Sequence, residues 1–344
     1  MSIASATTAE PRKWTVLPAL PLIIAFYASA AFLIAPPTFL RLLAEYVRQM
    51  GLLVAILLVA LPLAALMLRP GAPVERLAQI LREGGIRLMA IVVVFCVAMA
   101  SFTTFKIGIP NLVPFYADGT FADLDAWLHG GDPGSLLHAI IPPAAAPVLS
   151  FAYGYPWFSL WFGLLAFIAL HRDAQLRRRY LWAMTSTFIV LGTVLATALS
   201  SVGPIFYREF VHGDRFDTLM GSVLTGGAGP ITREMAGYLL AAYHTQGQVL
   251  GTGISAMPSM HVAVVTLNAL MLSGINRIVG ALGWLYAGVI SVASVYLGWH
   301  YAIDGYVSIA LVSLIWWLCG RVAQAKSAWP LAQGGGSISL GGGN

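Results

Sequence analysis

Eight stretches of this chain are apolar over roughly the length that a helix needs to cross a membrane. A spanning helix requires about 20 mostly apolar residues, because the hydrocarbon core of a bilayer is about 30 Å thick. With 58% hydrophobic and only 10% charged residues, the chain is too apolar for an ordinary soluble domain. The predicted fold class is all-α, a polytopic transmembrane helical bundle of about eight spans. These spans are 14–36, 51–68, 88–109, 147–170, 180–202, 259–275, 278–298 and 301–320.

The basic residues indicate how the spans are oriented. Lys and Arg are enriched in the cytoplasmic loops of membrane proteins. With both termini cytoplasmic, 13 of the 19 Lys and Arg residues fall on the cytoplasmic side and 6 on the outer side. The net charge of +5 therefore follows membrane topology, and we expect no nucleic-acid partner. We expect a bacterial inner-membrane protein that presents His261, His300 and Asp304 on the periplasmic or exterior face.

The chain divides into three regions. Residues 1–86 contain two spans joined by 38–50, a predicted amphipathic segment lying at the outer membrane surface. Residues 87–325 form the larger transmembrane domain, and the Gly-rich tail 326–344 is predicted to be disordered. We expect no cleavable signal peptide. The two cysteines lie in or at the ends of apolar stretches and indicate neither a disulfide framework nor a zinc site.

One polar pair lies between the last two spans. His300 and Asp304 are four residues apart, so on a helix they share one face and the carboxylate can reach the imidazole. A carboxylate bound to one ring nitrogen fixes the tautomer and leaves the other nitrogen free as a nucleophile or base. An alternative interpretation is a structural hydrogen-bonded pair. Ionisable groups beside membrane spans are costly and usually functional, which favours a catalytic pair.

A second histidine follows a predicted helix start. Pro258 is typical of the first turn of a helix, because proline has no N–H to leave unpaired. The free N–H groups of such a turn form an anion site, which lies here beside Ser259 and His261. Two spans separate His261 from His300, so both histidines lie at the same membrane face. A histidine pair and an anion-binding helix end predict phosphoryl transfer.

These segments resemble the signature of a known family. Residues 258–261 (Pro-Ser-Met-His) and 300–304 (His-x3-Asp) are similar to the second and third motifs of the type 2 phosphatidic acid phosphatase (PAP2) superfamily. The bulky residue before the first histidine and the pattern Tyr-Leu-x-x-His-Tyr-x-x-Asp at 296–304 most resemble its inositolphosphorylceramide synthase branch. Phosphatase members usually carry Gly before that histidine and a Ser-Arg pair upstream of the second, where this chain has Ala-Ser at 293–294. The resemblance covers about residues 95–320 and implies that the larger domain is catalytic.

Phosphoryl transfer and the resemblance together suggest the roles of three residues. His300 is predicted to attack phosphorus and form a phosphohistidine, and Asp304 to orient it. His261 is predicted to protonate the departing oxygen and then deprotonate the incoming hydroxyl or water. A zinc site built from the same three side chains is the competing chemical interpretation. The resemblance argues against it, and we predict no metal and no cofactor.

Five further residues are predicted to bind substrate. The first PAP2 motif, Lys-x6-Arg-Pro, does not occur in this chain, and Lys106 is its best substitute. The alternative is a lysine that extends to the headgroup region, and Arg208 is equally consistent with an interfacial anchor. Two tyrosines are candidates for headgroup contacts, although tyrosines at this depth are often belt residues. The full set is Lys106, Arg208, Ser259, Tyr207 and Tyr301.

Eight further polar residues of the outer loops are predicted to be solvated. They are four histidines and four aspartates, none of which is assigned to the site: His129, His138, His212, His244, Asp118, Asp123, Asp125 and Asp132.

The resemblance implies transfer of a phosphorylated headgroup from a phospholipid donor to a lipid alcohol acceptor of the ceramide or diacylglycerol type. The first alternative is a lipid phosphate phosphatase, in which water attacks the same intermediate. The second is a lipid transporter or flippase, which would need charged or broken helices at mid-membrane. The sequence leaves the donor headgroup, the acceptor and the oligomeric state open.

Overall fold

The computed structural model describes residues 19–245, 247 and 251–328, and every regular element within them is a helix. Residues 14–18 of the first predicted span and 329–344 of the predicted disordered tail lie outside this range. The first three residues of that tail, 326–328, instead belong to the last helix. The helices are α1 (Ala19–Ile34), α2 (Pro36–Leu68), α3 (Pro73–Leu112), α4 (Asp118–His129), α5 (Pro133–Ile140), α6 (Ala146–Leu170), α7 (Ala174–Ile189), α8 (Ala196–Ala198), α9 (Tyr207–Val211), α10 (Asp217–Thr225), α11 (Gly229–His244), α12 (Met260–Ser273), α13 (Arg277–Tyr296) and α14 (Ala302–Ala328).

Five of the described segments are long and apolar enough to cross a membrane, and three shorter apolar helices accompany them. The long segments are Pro73–Leu112, Pro143–Leu170, Ala174–Ala198, Arg277–Tyr296 and Ala302–Arg321. The shorter ones are Ala19–Ile34, Leu57–Met67 and Met260–Ser273. Together they match the eight predicted stretches in position. The integral membrane character is therefore supported, while the count of eight and the side on which the termini lie stay predictions.

The outer surface of the bundle is apolar as well as its interior. Within the most apolar 18 residues of each long segment, at most 56% are buried inside the protein. Large side chains such as Phe26, Leu33 and Leu285 face outward and are 78%, 78% and 66% exposed. A helix that is hydrophobic on all sides is expected where lipid replaces water as the solvent.

Residues 38–50 differ from the sequence prediction. They do not form a separate segment at the membrane surface, because α2 runs through them without a break into the next apolar stretch. Phe39, Leu42, Tyr46 and Met50 recur at helical spacing and are buried in the main core. The Tyr46 hydroxyl also bonds to Thr103 of α3 at 2.7 Å. The apolar stripe thus packs on protein, and the charged side chains between these positions lie on the opposite side of the helix.

The two predicted long loops are also largely helical. The stretch 111–146 contains α4 and α5, and 203–258 contains α9, α10 and α11. Most of these helices are short and punctuated by Gly and Pro, which makes them resemble loops in the sequence. Apolar side chains of α4, α9 and α10 form a second core with the start of α14. They therefore make a helical layer over the end of the bundle that carries His300.

A π-helical turn at Val190–Leu195 joins α7 to α8. At its centre, a Cβ on Gly192 would lie 2.6 Å from Phe102 Cε2 and 3.2 Å from the sulfur of Met260. Turns of this type are frequent at functional sites. This one presents its smallest residue to the side chain that immediately precedes His261.

A substitution at Gly280 tests the close contact between α12 and α13. A Cβ there would lie 2.7 Å from the Cα of Ser273, the last residue of α12. We expect Gly280→Ala to destabilise the protein by about 1–3 kcal/mol, the usual cost of overpacking, as measured by thermal unfolding in detergent. Gly288→Ala is the matched control on the same helix, because no atom lies within 4 Å of its added Cβ. Equal losses in the two variants would contradict the packing argument.

Candidate active site

His300 lies in the short connection between α13 and α14 and is held by Asp304. Its Nδ1 is 3.1 Å from Asp304 Oδ2, and the Tyr301 N–H donates to the same oxygen at 3.1 Å. The two side chains are buried, with Asp304 fully enclosed. The local chain permits this arrangement because Gly298 adopts a φ of +74°, which glycine reaches without strain. Asp304 therefore engages one ring nitrogen and leaves Nε2 of His300 for chemistry.

His261 occupies the first turn of α12 and is fixed by aromatic rings of α6. Ser259 caps the helix by accepting the Val262 N–H at 3.4 Å. The imidazole stacks on Tyr153 with ring centroids 4.2 Å apart and on Trp157 at the same separation. The indole N–H of Trp157 also donates to the His261 carbonyl at 3.1 Å. The orientation of His261 is thus set by packing rather than by a carboxylate.

The starts of the two histidine-bearing elements are joined directly. The Ser259 N–H donates to the Asp304 carbonyl at 3.4 Å, and the Ser308 hydroxyl reaches the Ser259 carbonyl at 2.9 Å. Helices α12 and α14 pack along their length. Tyr153, which stacks on His261, also lies parallel to the ring of Trp299, directly before His300, with ring centroids 6.4 Å apart. The structure therefore brings together two histidines that are 39 positions apart in the sequence.

Lys106 lies beside His261 on α3. Both side chains line one large cavity of about 1150 Å³. The backbone of α3 at Lys106 is approached closely by Gly253, whose φ is +92° and whose added Cβ would lie 2.9 Å from the Lys106 carbonyl carbon. Among the described residues, no carboxylate forms an ion pair with Lys106. A cation without an acidic partner next to a histidine favours a phosphate ligand.

Asp118 and Asp125 were predicted to be solvated, and that prediction is wrong, because both are buried at 0% and 2% exposure. Asp118 accepts the N–H groups of Val202 and Gly203 and the Tyr301 hydroxyl, at 2.9–3.0 Å. Burial raises its pKa, and these donors oppose that effect. Asp118 therefore ties the loop before α9 to the residue that follows His300.

Asp125 engages the start of α14 itself. Its two carboxylate oxygens accept the N–H groups of Ala302 and Ile303 at 2.6 and 3.0 Å. The first N–H groups of a helix have no partner within it, so this side chain caps the helix that carries Asp304. Burial raises the pKa of Asp125 as well. The spacing of seven between Asp118 and Asp125 places both on one face of α4, and this was the sequence signal for their shared role.

The other two aspartates that were predicted to be solvated, Asp123 and Asp132, form ion pairs with one arginine. Arg215 bonds to Asp123 at 2.6 Å and to Asp132 at 3.0 Å. The Asp123 side chain is 80% exposed, in agreement with a solvated residue, whereas Asp132 is mostly covered. This network links α4 to the segment before α10.

The predicted substrate-binding residues do not all lie together. Tyr301 is buried and donates to Asp118, and Ser259 is fully buried as the cap of α12. Tyr207 is also buried, with its ring edge-on to Phe216 at 5.1 Å. The Arg208 side chain is 79% exposed and forms an ion pair with Asp217. Of the five, Lys106 is the one that shares a cavity with His261.

The remaining histidines lie apart from His261 and His300. His138 stacks on Tyr296 at 3.9 Å and contacts its carbonyl, so it supports the end of α13. His129 bonds to Tyr306, and His244 lies near Glu209. Within the described ranges, no group of three or more His, Cys, Asp or Glu side chains is arranged as a metal site.

Asp125→Asn is expected to destabilise the end of the bundle. The amide retains one acceptor, but its NH₂ group would face a backbone N–H that now has no partner. An unsatisfied buried donor costs about 1–3 kcal/mol, which should appear as a lower thermal unfolding temperature in detergent. Asp123→Asn, on the exposed side of the same helix, should lower the free energy of unfolding by only about 0–1 kcal/mol. A loss for Asp125→Asn no larger than this control would refute the capping role.

Comparison with known protein families identifies a match. A model of the PAP2 superfamily matches residues 119–318, which is more than half of the chain and includes His261, His300 and Asp304. No curated protein and no solved structure matches the chain. PAP2 proteins are phosphatases and phosphotransferases that act on lipid phosphates. The chain is a member of the PAP2 superfamily.

Proposed function

We propose that the protein is a membrane phosphotransferase that moves a phosphorylated headgroup from a phospholipid to a lipid alcohol. The acceptor is of the ceramide or diacylglycerol type, as in the inositolphosphorylceramide synthase branch that the motifs resemble. The reaction takes place on the outer face, to which the distribution of basic residues assigns the site. One observation carries the proposal: the cavity lined by His261 and Lys106 is a large apolar space within the bundle.

The first half-reaction forms a covalent intermediate. Nε2 of His300 attacks the phosphorus of the donor, and the bond between phosphorus and the oxygen of the departing lipid alcohol breaks. His261 gives a proton to that oxygen, which leaves as a hydroxyl. Asp304 stabilises the positive charge that develops on the His300 ring, from the position that its Oδ2 occupies against Nδ1. Lys106 neutralises charge on the phosphoryl oxygens.

The second half-reaction reverses these steps with a different alcohol. His261 takes the proton of the acceptor hydroxyl, the oxygen attacks phosphorus, and the bond to His300 breaks. Transfer and hydrolysis differ in whether an alcohol or water reaches the intermediate. The small cavity beside His300 has a volume of about 10 Å³, roughly the space of one water molecule. The space beside His261 is far larger and apolar, which supports a lipid alcohol as the acceptor.

Product analysis with histidine variants tests the reaction class. Purified protein is given mixed phospholipids with and without ceramide or diacylglycerol, and lipid products are separated by mass spectrometry. Wild type should form a new phosphorylated lipid only with acceptor. His300→Ala should lower the rate by about 10⁴-fold or more, and His261→Ala by about 10²–10⁴-fold.

His244→Ala is the control for these variants, because this histidine is well exposed and its neighbour is Glu209 rather than a motif residue. It should retain wild-type activity. A headgroup phosphate released without acceptor would assign hydrolysis instead. Equal behaviour of wild type and both motif variants on every lipid would refute the enzyme and favour the transporter alternative.

Substitution of Lys106 separates phosphate binding from a role in anchoring the helix. Lys106→Gln is close in size but uncharged, and it should lower kcat/KM by about 10²-fold through loss of an electrostatic contact to the phosphate. Lys106→Arg should recover most of this loss. If Lys106→Gln matches wild type at every substrate concentration, Lys106 is an interfacial residue and another group binds the phosphate.

A further inference from the structure

The cavity that begins at His261 extends far beyond the catalytic residues. At one end it is bordered by His261, Lys106 and Gln49, and at the other by Arg76, Glu83 and Arg172. Between these ends its walls are contributed by α2, α3 and α6. The two polar ends are therefore separated by a continuous apolar space within the membrane-embedded part of the protein.

The walls of this space are hydrocarbon and aromatic side chains. Helix α2 contributes residues that include Leu57, Ala60 and Ala64, and the facing helix α6 contributes others that include Phe162 and Ala166. The small residues leave room where the two helices oppose each other. Because most of this surface is hydrocarbon or aromatic, it suits a flexible apolar chain.

The length of the space exceeds one leaflet. From Gln49 to Ala64, helix α2 rises about 22 Å at ~1.5 Å per residue. Half of the hydrocarbon core is about 15 Å. A chain whose head lies at His261 and whose tail follows α2 would therefore pass the bilayer midplane before it reaches Ala64. The charged residues Arg76, Glu83 and Arg172 then close the apolar space.

The cavity draws on both sides of the boundary of the family match. The family model matches residues 119–318, so α2 and Lys106 lie outside the matched region, whereas His261 and the α6 wall lie within it.

We propose, resting on the phosphotransferase function above, that this cavity holds the hydrocarbon tail of the lipid substrate. Ala60 and Ala64 set the depth to which that tail reaches. The occupant is a phosphorylated lipid with a tail long enough to pass the midplane. Its phosphate lies at Lys106, where charge complementarity fixes the head end, and its tail runs between α2 and α6.

A series of substrates with one headgroup and increasing tail length tests the depth. Ala64→Trp fills the far part of the cavity. It should lower kcat/KM for the longest tails at least about tenfold more than for the shortest tails, since steric exclusion acts on the methylenes that no longer fit. Leu63→Trp is the matched control, because this neighbour is 55% exposed and points away from the cavity. Its ratio of long-tail to short-tail activity should equal that of wild type.

The inference is overturned if Ala64→Trp affects all tail lengths by the same factor, or if Leu63→Trp shows the same length dependence. A second measurement does not depend on turnover. A lipid phosphate with a diazirine at the end of a long tail is irradiated with wild type and with His300→Ala, and labelled peptides are identified by mass spectrometry. Label on α2 and α6 residues of the cavity is expected in both proteins. Label confined to outward-facing positions such as Leu63 would refute the tail site.

The two measurements separate this inference from the function on which it rests. If the cavity is labelled but the protein transfers no headgroup, the tail site is supported and the phosphotransferase function is refuted. Acceptor-dependent transfer that is insensitive to tail length, with label outside the cavity, would retain the phosphotransferase and refute the tail site.

Discussion

The hydrogen-bonded junction between the starts of α12 and α14 fixes the relative positions of His261, His300 and Asp304. One helix carries His261 in its first turn, and the other carries Asp304, which in turn orients His300. The backbone of Ser259 bonds to both Asp304 and Ser308, so neither helix can shift along its axis without moving the other. The rest of the fold surrounds this junction: α6 supplies the rings that hold His261, and the outer helical layer covers His300. The geometry of the site is thus a property of helix ends rather than of loops.

Burial of carboxylates is the second constraint. Asp118 and Asp125 sit in a mostly apolar layer, where each would be costly without partners. Both use backbone N–H groups as donors, and those groups belong to the segments on either side of the site. Each carboxylate must reach its N–H donors to offset the cost of burial. This condition fixes how the outer layer lies over α14. This explains why a short amphipathic helix, weakly apolar in itself, has a defined position above the bundle.

The sequence predicted the elements whose signals are long or local. Apolar stretches predicted the main membrane helices, and the spacing of four between His300 and Asp304 predicted their hydrogen bond, although His300 lies just before α14 rather than within it. It did not predict contacts that depend on distant packing. Tyr153 and Trp157 are two of many aromatic residues in an apolar helix, and nothing local distinguishes those that stack on His261. The continuity of α2 was missed because charged residues on its exposed side resembled a surface segment.

The π-helical turn at Val190–Leu195 has a consequence for how the site can evolve. Its Gly192 leaves just enough room for the side chain of Met260, directly before His261. The volumes at these two positions are therefore not independent. A larger residue at the centre of the turn would require both Phe102 and Met260 to move, because both side chains lie within 3.2 Å of the added Cβ. Substitutions at the position before His261 and at the centre of the turn should therefore be coupled, and both depend on the size of the side chain at position 102.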